Sequence, residues 1–145
     1  MLPLFIAVVA FPYRGLNMSF EEVEVLRERA EAFLKNAERL VEEGVQDLAA
    51  FNIEQYCQLM LKYKLLVKTG TYPRAHSIIR LVRDLSRISS VLKSILEDAD
   101  NMVYLTKIED AYIGARYLPR RYEESEVRSM LRFVKEVFKD LIEGV

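Results

Sequence analysis

A single cysteine, Cys57, rules out an intrachain disulfide and any cysteine-based zinc cluster in this sequence. Histidine is just as scarce. With His76 alone, the paired-histidine metal spacings cannot be written, and a Ser/His/Asp or Cys/His arrangement would have to use that one imidazole with no marked nucleophile beside it. Five glycines and four prolines leave no Gly-rich phosphate loop, no Gly-x-Ser-x-Gly elbow and no low-complexity linker. No excess of either charge exists: 21 basic residues face 22 acidic ones, a net charge of −1. Such a balance supplies no global field for nucleic acid or anionic lipid, so any basic site must be local.

What remains is a chain of 145 residues, 51% hydrophobic and 30% charged, enough to bury one core as a single domain. Lack of disulfide chemistry points to a cytoplasmic setting. Residues 2–11 (LPLFIAVVAF) form the most apolar run, too short to span a bilayer. It has neither a clear basic n-region nor a clear cleavage site. Three readings of residues 1–17 stay open: a signal or anchor, an extended segment packed on the domain or a partner, or an extension ahead of an internal start at Met18. Its β-branched residues Ile6, Val8 and Val9 favour strand over helix. Residues 18–145 are expected to form the domain.

From Ser19 onward the periodicity is helical. Ser19 with Glu22 is a capping-box pair, and Val23, Leu26, Ala30, Phe33, Ala37, Leu40 and Val41 recur at steps of three and four up to Gly44. A second helix is expected over 45–69, stopped by Gly70. Leu48, Tyr56, Leu59, Met60, Tyr63 and Leu66 share one face, while Phe51, Ile53, Cys57, Leu61 and Leu65 carry apolar character around most of its circumference. Only Asp47, Glu54, Gln55, Gln58 and Lys62 give it a polar stripe, so this helix is central in a bundle or meets a second chain. Further helices are predicted over 77–87, over 90–115 as one helix or two with a break near 97–101, and over 123–143, with a loop bracketed by Gly114 and Pro119. The fold class is all-α: an up-and-down bundle of about five helices.

Binding chemistry concentrates in 112–132, where Arg116, Arg120, Arg121, Arg128 and Arg132 interleave with Tyr112, Tyr117 and Tyr122. Arginine forks match phosphate oxygens and tyrosine rings stack on bases, which suits a nucleotide or single-stranded RNA. The competing reading pairs these arginines with the acidic first helix and uses the tyrosines to cover the core edge. His76 is either a ligand contact or a residue at a helix start whose imidazole satisfies nearby backbone groups.

The run Phe51-Asn-Ile-Glu-Gln55-Tyr-Cys-Gln58-Leu-Met-Leu-Lys62, then Pro73-Arg-Ala-His76, then Tyr112 and Ala115-Arg116-Tyr117-Leu-Pro119, resembles a HEPN domain over residues 22–142. In that family the second helix typically reads Gln-Ala-Ala-Glu-Lys-Ala-Leu-Lys. Gln55, Leu61 and Lys62 match it, but Gln58 stands where glutamate is usual, which weakens a role for a carboxylate there. The Arg-Tyr-Pro signature appears with one residue inserted, as Arg116-Tyr117-Leu118-Pro119. The resemblance implies a bundle similar to the C-terminal domain of kanamycin nucleotidyltransferase, with a tendency to dimerise, the second-helix residues Phe51, Gln55, Gln58 and Lys62 at the interface. It also implies a minimal nucleotidyltransferase as partner, as in toxin-antitoxin pairs, with ATP or another nucleotide as ligand rather than a bound cofactor. Ligand contacts then fall on His76, Arg116, Tyr117 and Arg120. Related ribonucleases use an arginine several residues ahead of a histidine in a composite dimer site. Here Arg74 lies too close to His76 and residues 69–71 read Thr-Gly-Thr, so a non-catalytic binding protein is expected, with a ligand-free homodimeric module or an atypical ribonuclease as alternatives.

Overall fold

The structure, a computed structural model, describes residues 9–10 and 17–145. Two residue pairs open it: β1 (Val9–Ala10) lies antiparallel to β2 (Asn17–Met18), with Val9 opposite Met18. The remainder of the apolar 1–17 segment, with the readings attached to it, lies outside the described residues.

Helix α1 (Phe20–Glu42) begins as its capping box dictates. The Glu22 amide donates to Ser19 Oγ at 3.1 Å, and the Ser19 amide donates back to the Glu22 carboxylate at 3.3 Å. Two orphan amides are satisfied at once, and the acidic first turn suits the positive end of the helix dipole. Gly44, at φ 79°, turns the chain into α2 (Gln46–Thr69). Helix α2 ends in the expected left-handed cap at Gly70, φ 86°, whose amide donates to the Leu66 carbonyl at 2.9 Å.

Ser77 caps α3 (Ile78–Ser86), its hydroxyl accepting from the Arg80 amide at 3.1 Å. A 3₁₀ turn (Ser90–Leu92) and the short α4 (Lys93–Glu97) follow. The break foreseen near 97–101 is real: Asp98 has an extended backbone and accepts from the Asn101 amide at 3.0 Å, starting α5 (Ala99–Tyr117) as a separate helix. This accounts for the extra helix beyond five. Helix α5 also continues past residue 115, so Gly114 is a buried helical residue and not the start of a loop. An alanine Cβ there would come within 3.1 Å of the Tyr122 hydroxyl, so the absent side chain makes room for that ring. The last rod comprises α6 (Glu124–Phe133), a π-helical turn (Val134–Phe138) and α7 (Lys139–Glu143).

Helix α2 is the centre of the bundle, with α1, α3, α5 and the last rod packed around it. Ile53, Tyr56, Cys57, Leu61 and Leu66 expose no surface. Three expectations for this helix fail. Leu48, assigned to the apolar face, is 46% exposed, and Glu54 and Gln58, assigned to the polar stripe, are buried. These errors have one cause: a helix covered on most sides has no single outward direction for a periodicity to report.

Candidate functional site

The buried carboxylate of Glu54 organises the site. It accepts from Gln55 Nε2 and from Gln58 Nε2, each at 2.8 Å, so its lone pairs are served by amides of its own helix. Burial pushes its pKa up to about 7, against the opposing pull of those two amides and of the Lys62 and Arg116 cations. On its far side Gln58 Oε1 accepts from Lys62 Nζ at 3.0 Å and lies 3.2 Å from His76 Nδ1. The expectation that His76 serves backbone groups is therefore replaced by a side-chain partner on α2. The Lys62 ammonium also sits 5.6 Å from the Tyr72 ring centroid, and burial lowers its pKa despite the nearby Glu54.

Above this polar row, α5 contributes an aromatic stack. His76 lies nearly parallel to Tyr112, centroids 5.0 Å apart, and Phe51 stacks against Tyr112 at 6.5 Å. The Arg116 guanidinium carbon lies 4.6 to 4.8 Å from the ring centroids of Phe51, Tyr112 and Tyr117. Nε and Nη2 of Arg116 both donate to the Tyr112 carbonyl, and Nη1 reaches the Tyr117 hydroxyl at 3.4 Å. A guanidinium has five N–H donors, so one on each terminal nitrogen has no partner among the described residues. Among the described residues no carboxylate lies within ion-pair distance of it.

The residues predicted as ligand contacts and those predicted as interface thus converge. Phe51 supports Arg116, and Gln58 supports His76. Tyr117 flanks Arg116 and is 69% exposed. Arg120 stands apart: it shares the Glu126 carboxylate with Lys107 and lies over the Tyr122 ring at 4.2 Å. Burial opposes ionisation of Glu126, but the Lys107 and Arg120 hydrogen bonds outweigh it and hold its pKa below the usual carboxylate value. Arg128 pairs with Glu42 of α1 and with Glu124, as the competing reading of the arginines expected, and Tyr122 is buried at the core edge. A cleft of about 660 Å³ adjoins the stack, and His76, Tyr112, Ile113, Leu118, Arg120 and Tyr122 are among its walls. Tyr112 is common to the cleft and to the Arg116 shelf.

Sequence reasoning missed Glu54, Tyr72 and Glu109. Glu109 accepts from Ser77 Oγ and, at 3.2 Å, from the Ile79 amide, which ties the start of α3 and the adjoining His76 to α5. A signal for Glu54 was present: it lies one turn before Gln58, the position where the resemblance led one to expect a carboxylate.

The fold is an all-α bundle whose central helix and α5 converge on an aromatic, arginine-bearing face. A profile of the HEPN domain family matches residues 23–145, and the chain belongs to that family. No curated protein matches the sequence. Among the described residues no helix is long and apolar enough to cross a membrane, and no group of three potential metal ligands occurs.

Proposed function

We propose that this HEPN protein binds a nucleotide on the face shared by α2 and α5, without transforming it. The observation that carries the reading is Arg116: three aromatic rings and the Tyr112 carbonyl fix the guanidinium, while an N–H on each terminal nitrogen without a partner among the described residues points to a phosphate-sized anion. His76 and Tyr117, both exposed, offer ring faces for a base, and Arg120 at the rim of the cleft adds positive charge already neutralised in part by Glu126. Titration calorimetry with ATP and GTP tests it. Saturable binding that weakens at least about tenfold in Arg116→Ala, and far less in Arg120→Ala, is expected, since tenfold corresponds to one charge-assisted contact of about 1.4 kcal/mol. Absence of saturable binding, alone or with a partner, sinks the proposal.

A second reading, compatible with the first, assigns the protein to a two-component system with a minimal nucleotidyltransferase. It is favoured by the exposed apolar side chains Val103, Ile113, Tyr117 and Leu118 along α5 and at its end, which are 49% to 69% exposed. Co-expression with a small nucleotidyltransferase, followed by light scattering on the eluted species, distinguishes a complex from a homodimer and from a monomer.

A further inference from the structure

The hydrogen-bond row beneath the stack constrains His76 more than its exposed position suggests. A carboxylate has only acceptors and an ammonium only donors. Gln58 lies between one of each: Glu54 on one side requires the amide NH₂, and Lys62 on the other requires the amide oxygen. With Glu54 ionised the amide is therefore locked in one orientation, since turning it over would oppose acceptor to acceptor at Glu54 and donor to donor at Lys62. Its oxygen, which has two lone pairs, faces His76 Nδ1 at 3.2 Å. An amide oxygen cannot donate, so the imidazole must, and a neutral ring with its proton on Nδ1 leaves Nε2 bare.

We propose that Gln58 is a positioning residue, clamped between Glu54 and Lys62, that fixes the tautomer of His76 so that Nε2 meets the ligand as a hydrogen-bond acceptor. This rests on the nucleotide reading and gives it a direction. A phosphate oxygen, which has no hydrogen to offer, is refused at neutral His76 and goes to Arg116. The group that reaches His76 is a donor, an N–H of a base or a sugar hydroxyl. A glutamate at position 58 could also accept from His76 and Lys62, but it would set a second carboxylate against Glu54, where the amide NH₂ of glutamine donates instead.

The chain has one histidine, so its ring gives an unambiguous signal in a long-range proton–nitrogen correlation spectrum of the ¹⁵N-labelled full chain. The spectrum is taken at pH 8, where Glu54 is mostly ionised. The expected result is a neutral ring protonated on Nδ1. A wild-type ring protonated on Nε2 overturns the proposal, and this measurement needs no variant to fold. In Gln58→Met, with folding checked by circular dichroism, the ring is expected to become a mixture of tautomers, and an unchanged spectrum also overturns the claim. Addition of ATP should shift the Nε2 resonance as it accepts a bond. Calorimetric binding of ATP with Nε2 unmoved defeats the assigned direction. No ATP binding at all defeats the nucleotide reading while the tautomer result stands on its own.

Discussion

Glu54 is a carboxylic acid with no exposed surface and a pKa raised to about 7 from 4.5, and this ties the fold to pH. Its sign follows from proton counting. Between about pH 4.5 and pH 7 the folded chain holds a proton that the unfolded chain has released, so stability is fully present below pH 4.5 and declines as pH rises through 7. The span is worth on the order of 3 kcal/mol, and Glu54→Gln, which cannot ionise, should lose that slope and be the more stable protein at pH 8. Urea midpoints at pH 4.5, 6 and 8 measure it, and parallel curves for the two proteins would refute the assignment. Tyr56 presents the opposite case. Its hydroxyl is buried without a hydrogen-bond partner among the described residues, next to the Phe138 ring at 6.0 Å. An unsatisfied buried hydroxyl costs about 1 to 3 kcal/mol, so Tyr56→Phe should raise the melting temperature where most core substitutions lower it. At this scale the sequence revealed residue types and hid partnerships. His76 and Arg116 could be chosen because their chemistry is rare and specific. Glu54 was passed over because a charged side chain is ordinarily on the outside; its amide partners Gln55 and Gln58 are neighbours on the same helix, but its burial shows only in three dimensions.

Among the elements, local signals proved the most readable. Ser19 with Glu22, Gly44 and Gly70 each mark a backbone event at a fixed position, and each is found there. The interruption at Asp98 was legible as a run of polar residues but became an N-cap only in the structure, where its carboxylate meets the Asn101 amide. The π-helical turn Val134–Phe138 left no trace in the pattern. It keeps Val134 and Phe138 on the buried face, so the apolar residues still fit an ordinary helix. Gly70 joins element to site, for its left-handed φ of 86° directs the chain into the loop that delivers Tyr72 and His76. Gly70→Ala should cost about 1 to 2 kcal/mol by differential scanning calorimetry, the strain of a Cβ in that conformation. Because that strain falls on the support of His76, the same variant should also weaken ATP binding. A loss of stability with unchanged affinity would show that the loop holds its shape without the glycine.

For the whole molecule, the question is whether the bundle is held by its charges or by its centre. The last rod is laced to α1 by Arg128 with Glu42 at 3.0 Å, Lys135 with Glu38 at 3.4 Å and Lys139 with Glu31 at 3.8 Å. The pattern invites the view that ion pairs fasten the C-terminal helix, and Arg128 is the member of it that the competing reading of the arginines set against the acidic first helix. Every one of these side chains is at least about a third exposed, so each pair is screened and worth about 0 to 1 kcal/mol. Opposing them is α2, whose Ile53, Tyr56, Leu61 and Leu66 are wholly buried against its neighbours. Removing the end of one such side chain, as in Leu61→Ala, costs about 2 to 5 kcal/mol. Unfolding free energy should therefore change by less than about 2 kcal/mol between low salt and 0.5 M (roughly a 4 Å Debye length), whereas Leu61→Ala alone should exceed that. Sodium chloride is the right salt for the comparison, because sulfate would strengthen apolar burial and mask the lost pairs. A large drop in stability in sodium chloride, with a small effect of Leu61→Ala, would move the centre of stability from α2 to the charged seam. It would also undercut the reason a helix without a clear polar side belongs in the middle of the bundle, since that place is set by apolar contact on nearly every side.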